Sequence, residues 1–247
     1  MKIQLSYDSY GGVDGSSLST SRCKQSILVY EMLQSLGSQL ITYVEIQEEA
    51  QKRKLFGETK AKSAIRTFFP LLRKLNFVNY DGQFSANQCF TELGEQFIKT
   101  CRALDITESA DNPNPEIVMK LKDIKVNIIR EGLLQMHRNT ELNSHNIWVA
   151  LYLLKQFKTV SWHDFLYAVY LFKQKYYNLE EVYDKIHEAH ANNISFEFYD
   201  EKDNLIASTC YTYIRSLLLE AKLVQKVDSE NITILPEGID FFAHANI

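Results

Sequence analysis

Apolar residues recur with helical spacing along most of the chain, and the interruptions of this spacing predict where the elements end. In the first half, helices are expected over residues 26–36, 43–54 and 59–75, and Pro70 is expected to kink or restart the third. The stretch FVNY at 77–80, the Asp81-Gly82 turn and a return strand near 88–90 predict a hairpin, which a helix capped by Thr91 follows. The predicted order is three helices, a hairpin and one helix.

The second half of the chain repeats this outline. A long helix over residues 116–137 joins the halves, and further helices are expected at 144–156, 161–173, 179–190 and 208–222. Leu71, Leu72 and Val78 match Leu217, Leu218 and Val224, each 146 positions later. Gly94, Phe97 and Ile98 match Gly238, Phe241 and Phe242, each 144 positions later. A duplicated helix, hairpin and helix indicates two similar domains.

The domain boundaries follow from the polar segment DITESADNPNPE at 105–116, which contains two prolines. We expect an N-terminal arm plus a first domain at 1–108, a linker and connecting helix at 109–140, and a second domain at 141–247. The first twenty residues are rich in Gly and Ser, so they predict an irregular arm with one strand at KIQLSY. The expected fold class is mainly α with small β-hairpins (α+β).

Composition narrows the class of protein. The 247 residues are 45% apolar, which is typical of a packed globular chain. No run of eighteen uncharged apolar residues and no cationic leader is present, so we expect no membrane association and a cytoplasmic location. The four cysteines are far apart and lack the close pairs of zinc sites, which favours reduced core residues.

Charge is distributed unevenly along the chain. The net charge is −4, yet residues 21–74 carry ten Lys and Arg against five acids, which leaves −9 on the remainder. An excess of this kind indicates an anionic partner for one segment, and nucleic acid is the commonest such partner.

The two matched segments, LLRKLNFVNYDGQFSANQCFTELGEQFI and LLLEAKLVQKVDSENITILPEGIDFF, resemble the end of a winged helix-turn-helix domain. The full order of arm, winged helix, linker helix and second winged helix resembles the recognition region of type IIS restriction and nicking endonucleases. This resemblance implies two winged-helix domains that read double-stranded DNA at an asymmetric site, while a nuclease domain or a separate catalytic chain cuts it.

In a helix-turn-helix unit, the third helix enters the major groove and the turn before it touches phosphate. Arg66 is the best candidate for base readout, because a guanidinium can donate two parallel hydrogen bonds to guanine. The other candidates in this part of the chain are Lys52, Arg53, Lys54, Thr59, Lys60, Lys62, Ser63 and Thr67. The alternative is an ordinary solvated face, and the basic excess of the segment favours DNA.

The second domain and the wing offer weaker candidates. Residues Thr209, Tyr211, Thr212 and Arg215 lie on the helix that corresponds to the third, although this domain could equally serve as a scaffold. Gln83 and Asn87, together with Ser85 and Gln88, could reach phosphates or the minor groove, but uncharged residues of this kind also form good turns.

Catalytic and metal-binding signals are weak, so we expect no catalytic residue, no metal and no other cofactor. The pattern Asp/Glu, any residue, Lys occurs four times, but no Pro-Asp dipeptide accompanies it, and only Asp200 and Lys202 could lie at a strand end. His187 and His190 supply two imidazoles without further ligands. If the protein is an enzyme, it is expected to be the recognition part of a type II endonuclease. Two other functions stay open: a winged-helix protein-protein interaction module, and a regulator of transcription or replication.

Overall fold

The computed structural model describes residues 1–6, 17–57, 60–138, 145–206 and 209–245. Helices account for 64% of the described residues and are accompanied by small sheets, so the protein is of the α+β class. None of the described helices is long and apolar enough to cross a membrane. The chain forms two compact units: the first unit contains residues 16–143, and the second unit contains residues 1–15 and 144–247.

The chain starts with strand β1 (Lys2–Gln4), which belongs to the second unit. The first unit then contains α1 (Thr20–Leu36), β2 (Leu40–Ile41), α2 (Tyr43–Lys52), α3 (Ala61–Lys74), β3 (Phe84–Ser85), a 3₁₀ turn (Ala86–Gln88), α4 (Glu92–Glu108) and α5 (Pro115–Arg138). The expected helices of the first half are all present. The first of them begins six residues earlier than the periodicity predicts, and α3 continues through Pro70.

Local chemistry explains where these helices begin and end. Gly37 ends α1 with a φ of 59°, a conformation that costs glycine little. Thr42 opens α2 with a capping box, in which its side chain accepts from Glu45 N while the Glu45 carboxylate accepts from Thr42 N. Thr91 opens α4, and its hydroxyl oxygen accepts a hydrogen bond from Gly94 N at 3.1 Å.

The hairpin of the first unit differs from the prediction in its return strand. Strand β3 pairs antiparallel with β2, whereas the segment after it forms the 3₁₀ turn. Asn87 N donates to Gly37 O at 3.0 Å, so this segment bonds to the end of α1. The first arm of the hairpin pairs with the segment after the 3₁₀ turn at the Val78–Phe90 bridge.

The second unit contains the remaining elements. They are α6 (His145–Phe157), β4 (Thr159–Ser161), α7 (Trp162–Gln174), α8 (Leu179–Ala191), β5 (Glu197–Tyr199), α9 (Thr209–Glu220), β6 (Val224–Lys226), β7 (Asn231–Ile234) and α10 (Pro236–Ala245). Strands β4, β7 and β6 form an antiparallel sheet in that spatial order, with β7 in the middle. Strands β1 and β5 form a separate parallel pair.

The compact units differ from the expected domain boundaries in two places. Lys2 is the register partner of Glu197, and this pairing joins the start of the chain to the second unit rather than to the first domain. The expected linker helix is α5, which packs against α4 within the first unit. Its buried residues Ile129 and Leu133 make it part of that core.

The same backbone arrangement follows α3 and α9. Asn76 and Lys222, 146 positions apart, both adopt a left-handed conformation, with φ of 57° and 50°. The next residue donates its N–H back into the helix in each case, Phe77 to Leu72 O at 2.8 Å and Leu223 to Leu218 O at 3.1 Å. These bonds satisfy carbonyls that the helix end would otherwise leave unpaired.

A glycine then lets the following helix approach the strand closely. A Cβ on Gly94 would lie 1.8 Å from Phe77 O, and a Cβ on Gly238 would lie 2.3 Å from Leu223 O. Both distances are far below van der Waals contact, so these two positions require glycine for packing.

Candidate nucleic-acid interface

Helix α3 has a buried side and an exposed polar side. Ile65, Phe68 and Leu72 are fully buried in the core of the first unit. Lys62, Ser63 and Arg66 are exposed, and Thr67 is half-buried with its hydroxyl donating to Ser63 O at 2.9 Å. Lys60 precedes the helix and is also exposed. The apolar period of α3 therefore places the predicted base-reading residues in solvent.

Two glutamates of α2 partly neutralise the basic residues around this face. Lys62 Nζ lies 3.8 Å from Glu48 Oε1, and Lys52 Nζ lies 3.6 Å from Glu49 Oε2. Both are exposed ion pairs of the kind that contribute little and exchange readily with another anion. The two lysines can therefore be redirected to a phosphate at small cost.

Arg53 is held more firmly than the other candidates. Its Nε donates to Glu49 Oε1 at 2.7 Å, and its Nη1 donates to Ser35 Oγ at 2.6 Å. The carboxyl of Glu49 has a lowered pKa, chiefly because Arg53 donates to it. Lys54 is exposed in the turn after α2 with a φ of 53°, whereas Thr59 lies outside the described residues.

Arg66 makes no ion pair with any residue that the structure describes. Its charge lies near the hydroxyl of Tyr43, which is buried and has no hydrogen-bond partner within the described ranges. Burial raises the pKa of Tyr43, and Arg66 opposes that shift only in part. The guanidinium is thus available to a partner outside the chain.

An aromatic cluster fixes the hairpin turn against α3, and sequence reasoning did not predict it. The rings of Tyr43 and Tyr80 stack at 4.5 Å, and Phe69 stacks on Tyr80 at 5.5 Å. Arg73 lies 5.1 Å above the Tyr80 ring and donates to the Asp81 carboxylate at the turn. Burial raises the pKa of Tyr80 to about 12.

The two wing candidates lie in different places. Gln83 is exposed directly after the turn. Asn87 lies in the 3₁₀ turn, where its carbonyl oxygen accepts from Gln34 Nε2 at 3.1 Å. Asn87 therefore joins the hairpin to α1 instead of extending from the tip. Ser85 of β3 pairs with Leu40 of β2, and Gln88 is exposed.

In the second unit, one candidate is removed by burial. Tyr211 is only 1% exposed, and its hydroxyl donates to Val160 O at 2.8 Å. Burial raises its pKa far above the ordinary range. The expectation that Tyr211 contacts DNA is corrected: its place on α9 faces the core, where it fixes the helix to strand β4.

The other candidates of α9 form a smaller polar set. Arg215 donates to Ser229 O in the turn between β6 and β7, and its guanidinium lies 5.7 Å from the Tyr211 ring. Thr212 is half-buried. Thr209 begins the helix, and its side chain lies outside the described set. Arg215 thus holds the turn in place in the second unit, as Arg73 does in the first.

The turn of the second unit is anionic. The Asp228 carboxylate accepts from the backbone N–H groups of Glu230 and Asn231 at 2.7 and 2.8 Å. Hydrogen bonds from the Asn231 side chain and from these two backbone groups lower the pKa of Asp228. Glu230 is exposed beside it. This tip carries two carboxylates and repels phosphate, whereas Arg73 donates to the turn carboxylate of the first unit, Asp81, which uncharged Gln83 follows.

The side chains considered for catalysis or metal binding do not converge. Within the described residues, no cluster of three or more His, Cys, Asp or Glu could hold a metal ion. His190 Nε2 lies 2.7 Å from Asp164 Oδ1, while His187 faces the ring of Tyr183 at 6.1 Å. Asp200 follows strand β5 as predicted, and its carboxylate accepts from Lys202 N and Asn204 N, both at 2.8 Å, within a turn.

Comparisons with models of known protein families, with curated proteins and with solved structures find no match for this chain.

Proposed function

We propose that the chain recognises double-stranded DNA through two winged-helix units, and that the first unit supplies most of the contact. Support comes from the order of elements. Both units run helix, short strand, helix, helix and hairpin, and the second unit adds α8 and β5 between α7 and α9. In the sheet of the second unit, the return strand lies between the other two, as in a winged helix.

The observation that carries the proposal is the exposed early half of α3. Its polar side holds Lys62, Ser63 and Arg66, while the opposite side is buried. A helix anchored in this way can enter the major groove with these side chains directed at the bases. Arg66 reads a guanine in this proposal, and Lys52, Lys60 and Lys62 neutralise phosphates.

The wider role we propose is the target-recognition part of a restriction-type endonuclease, or an equivalent DNA-targeting subunit, in the cytoplasm. It would act with a nuclease domain or a separate catalytic chain. The two units carry different surfaces on corresponding helices, and unequal units suit an asymmetric target better than a palindrome.

The first test measures how the affinity for a mixed-sequence duplex depends on salt. Replacing both Lys60 and Lys62 by Ala should reduce the slope of log K against log salt by about 2, because each phosphate contact releases counterions. The control replaces both Lys99 and Lys120 by Ala, which removes the same charge from exposed positions on α4 and α5. Equal slopes for the two double variants would reject the proposed interface.

A second candidate function is protein binding by the second unit alone. The anionic turn around Asp228 and the buried Tyr211 favour it, because they leave α9 few groups for DNA. Under this alternative, replacing Arg215 and Thr212 leaves the DNA affinity unchanged. A clear loss of affinity in these variants would reject it.

The regulator alternative makes a different prediction about assembly. A regulator of transcription or replication should bind a palindromic site as a symmetric dimer. Analytical ultracentrifugation of the chain on DNA separates the two cases. A monomer on an asymmetric duplex supports the recognition module, and a dimer on a palindrome supports the regulator.

A further inference from the structure

An apolar cavity of about 580 Å³ opens on the second unit. It lies between the end of α6, the end of β7 and the helix α10. Its floor is formed by Leu154 and Phe242, which are 0% and 5% exposed, and its rim includes Ile234 and Ile239. Ile239 is 54% exposed, so a large apolar side chain stands in solvent at the opening.

Two lysines give the opening a defined charge. Lys155 lies in the last turn of α6 and Lys158 directly after that helix, and both line the cavity. The backbone of Lys158 has a φ of 61°, and its carbonyl oxygen accepts from Ile234 N at 2.8 Å and from Thr233 Oγ1 at 3.1 Å. These bonds fix the position from which the Lys158 side chain leaves the backbone. Among the described residues that line the cavity, none is acidic.

We propose that this cavity binds a small apolar carboxylate, with the hydrocarbon part on Leu154 and Phe242 and the carboxylate at Lys155 and Lys158. The volume lies within the range of small-molecule sites, which are mostly apolar with a few polar groups that orient the ligand. Two cations at the mouth of an apolar cavity match an anion at one end of an apolar chain. The site is independent of the DNA proposal, because none of its residues belongs to α3, α9 or either turn.

The probes are octanoate, hexanoate and octylammonium, titrated below their aggregation concentrations against protein with labelled isoleucine methyl groups. Octanoate should shift the Ile234 and Ile239 methyl signals in a saturable manner. Its affinity should exceed that of hexanoate by about fifteenfold for two added methylenes. Octylammonium has the same chain with the opposite charge, and it should bind more weakly by at least about threefold.

Two variants separate this site from general surface binding. Ile239→Asn and Lys158→Gln should each weaken octanoate binding by about threefold or more. Ile106→Asn, at an isoleucine that is 72% exposed in the first unit, and Lys226→Gln, at an exposed lysine of β6, are the matched controls and should have no effect. The proposal is overturned if octanoate does not saturate, if octylammonium binds equally well, or if the variants behave like their controls. If the cavity binds only a segment of a protein, octanoate will not saturate it.

Discussion

The first and second units share one backbone arrangement after α3 and α9 and differ in what these two helices expose. Arg66 on α3 corresponds to Thr212 on α9, 146 positions later. Residues 16–143 contain seventeen basic and fifteen acidic residues, whereas the rest of the chain contains ten basic and sixteen acidic ones. The turn of the second unit carries the carboxylates of Asp228 and Glu230, whereas Arg73 pairs with the turn carboxylate of the first unit, Asp81. Units with the same local backbone arrangement can therefore hold different electrostatic surfaces.

This comparison separates the positions where folding determines the residue from the positions where function can determine it. Gly94 and Gly238 occupy the same place because a carbonyl oxygen leaves no room for a side chain in either unit. Arg66 and Thr212 occupy corresponding exposed or half-buried places, where packing does not decide the residue. We therefore propose DNA contact for the first unit, whose exposed positions on α3 are basic.

The largest expected effect tests the shared arrangement. Gly94→Ala should lower the free energy of unfolding by at least about 4 kcal/mol, and Gly238→Ala by somewhat less, because its Cβ would be farther from the carbonyl oxygen. Urea denaturation measures both, and Gln96→Ala, exposed on the same helix as Gly94, serves as the control. If Gly238→Ala left the free energy of unfolding unchanged, α10 would not pack closely against the carbonyl oxygen of Leu223.

Alkaline pH should lower the stability of the first unit through Cys89. The corresponding residue of the second unit is Thr233. Burial raises the pKa of the Cys89 thiol from 9.0 to about 12. The folded state then holds its proton more tightly, so this stabilisation is complete below pH 9 and is lost as pH rises toward 12. By about pH 11 the loss should reach up to about 3 kcal/mol.

Urea denaturation at about pH 8 and about pH 11 measures this loss in the native chain and in Cys89→Ala. The variant should lose less stability between the two pH values, whatever its stability at the lower one. An identical pH dependence in both proteins would contradict the assignment to Cys89.

Exchanging the corresponding surface residues tests the functional difference directly. Arg66→Thr should weaken DNA binding by about 1 to 3 kcal/mol, the energy of a bidentate contact with guanine. Thr212→Arg should strengthen it less, because the anionic turn of the second unit remains. Fluorescence anisotropy with a duplex selected by the native chain measures both. If Thr212→Arg gains as much as Arg66→Thr loses, the two units contribute equally.

The smallest effect concerns Arg215. Because its hydrogen bond holds Ser229 of the turn, Arg215→Ala should destabilise the chain by about 1 kcal/mol. DNA affinity should fall by about twofold, since a charge at the rim of an interface contributes little, whereas the protein-binding alternative predicts no change. A larger loss of affinity with unchanged stability would give Arg215 a role in DNA contact.

Periodicity predicted the helices because their apolar faces pack locally within each unit, as α3 does with Ile65 and Phe68. Matching the two segments residue by residue predicted the correspondence of Gly94 and Gly238, because each glycine follows its hairpin at the same spacing. Periodicity could not predict the pairing of β1 with β5. Their register partners Lys2 and Glu197 are far apart in sequence, and only folding brings them together.

The candidate interface shows the same limit. Helical spacing sufficed to place Arg66 and Lys62 on an exposed side of α3. It misassigned Tyr211, because a tyrosine can be read as a polar surface residue or as a core residue, and the hydrogen bond to Val160 that decides the matter is long-range. The stack of Tyr43, Phe69 and Tyr80 joins α2, α3 and the hairpin, so no local pattern indicates it.

The most direct test of the central claim is selection from a randomised duplex pool at near-physiological salt, with the native chain and with Arg66→Ala in parallel. The account predicts that the native chain enriches a sharp asymmetric motif and that Arg66→Ala relaxes a single guanine position within it. An absence of enrichment, with binding that disappears steeply as salt rises, would contradict sequence-specific recognition and leave only phosphate contact.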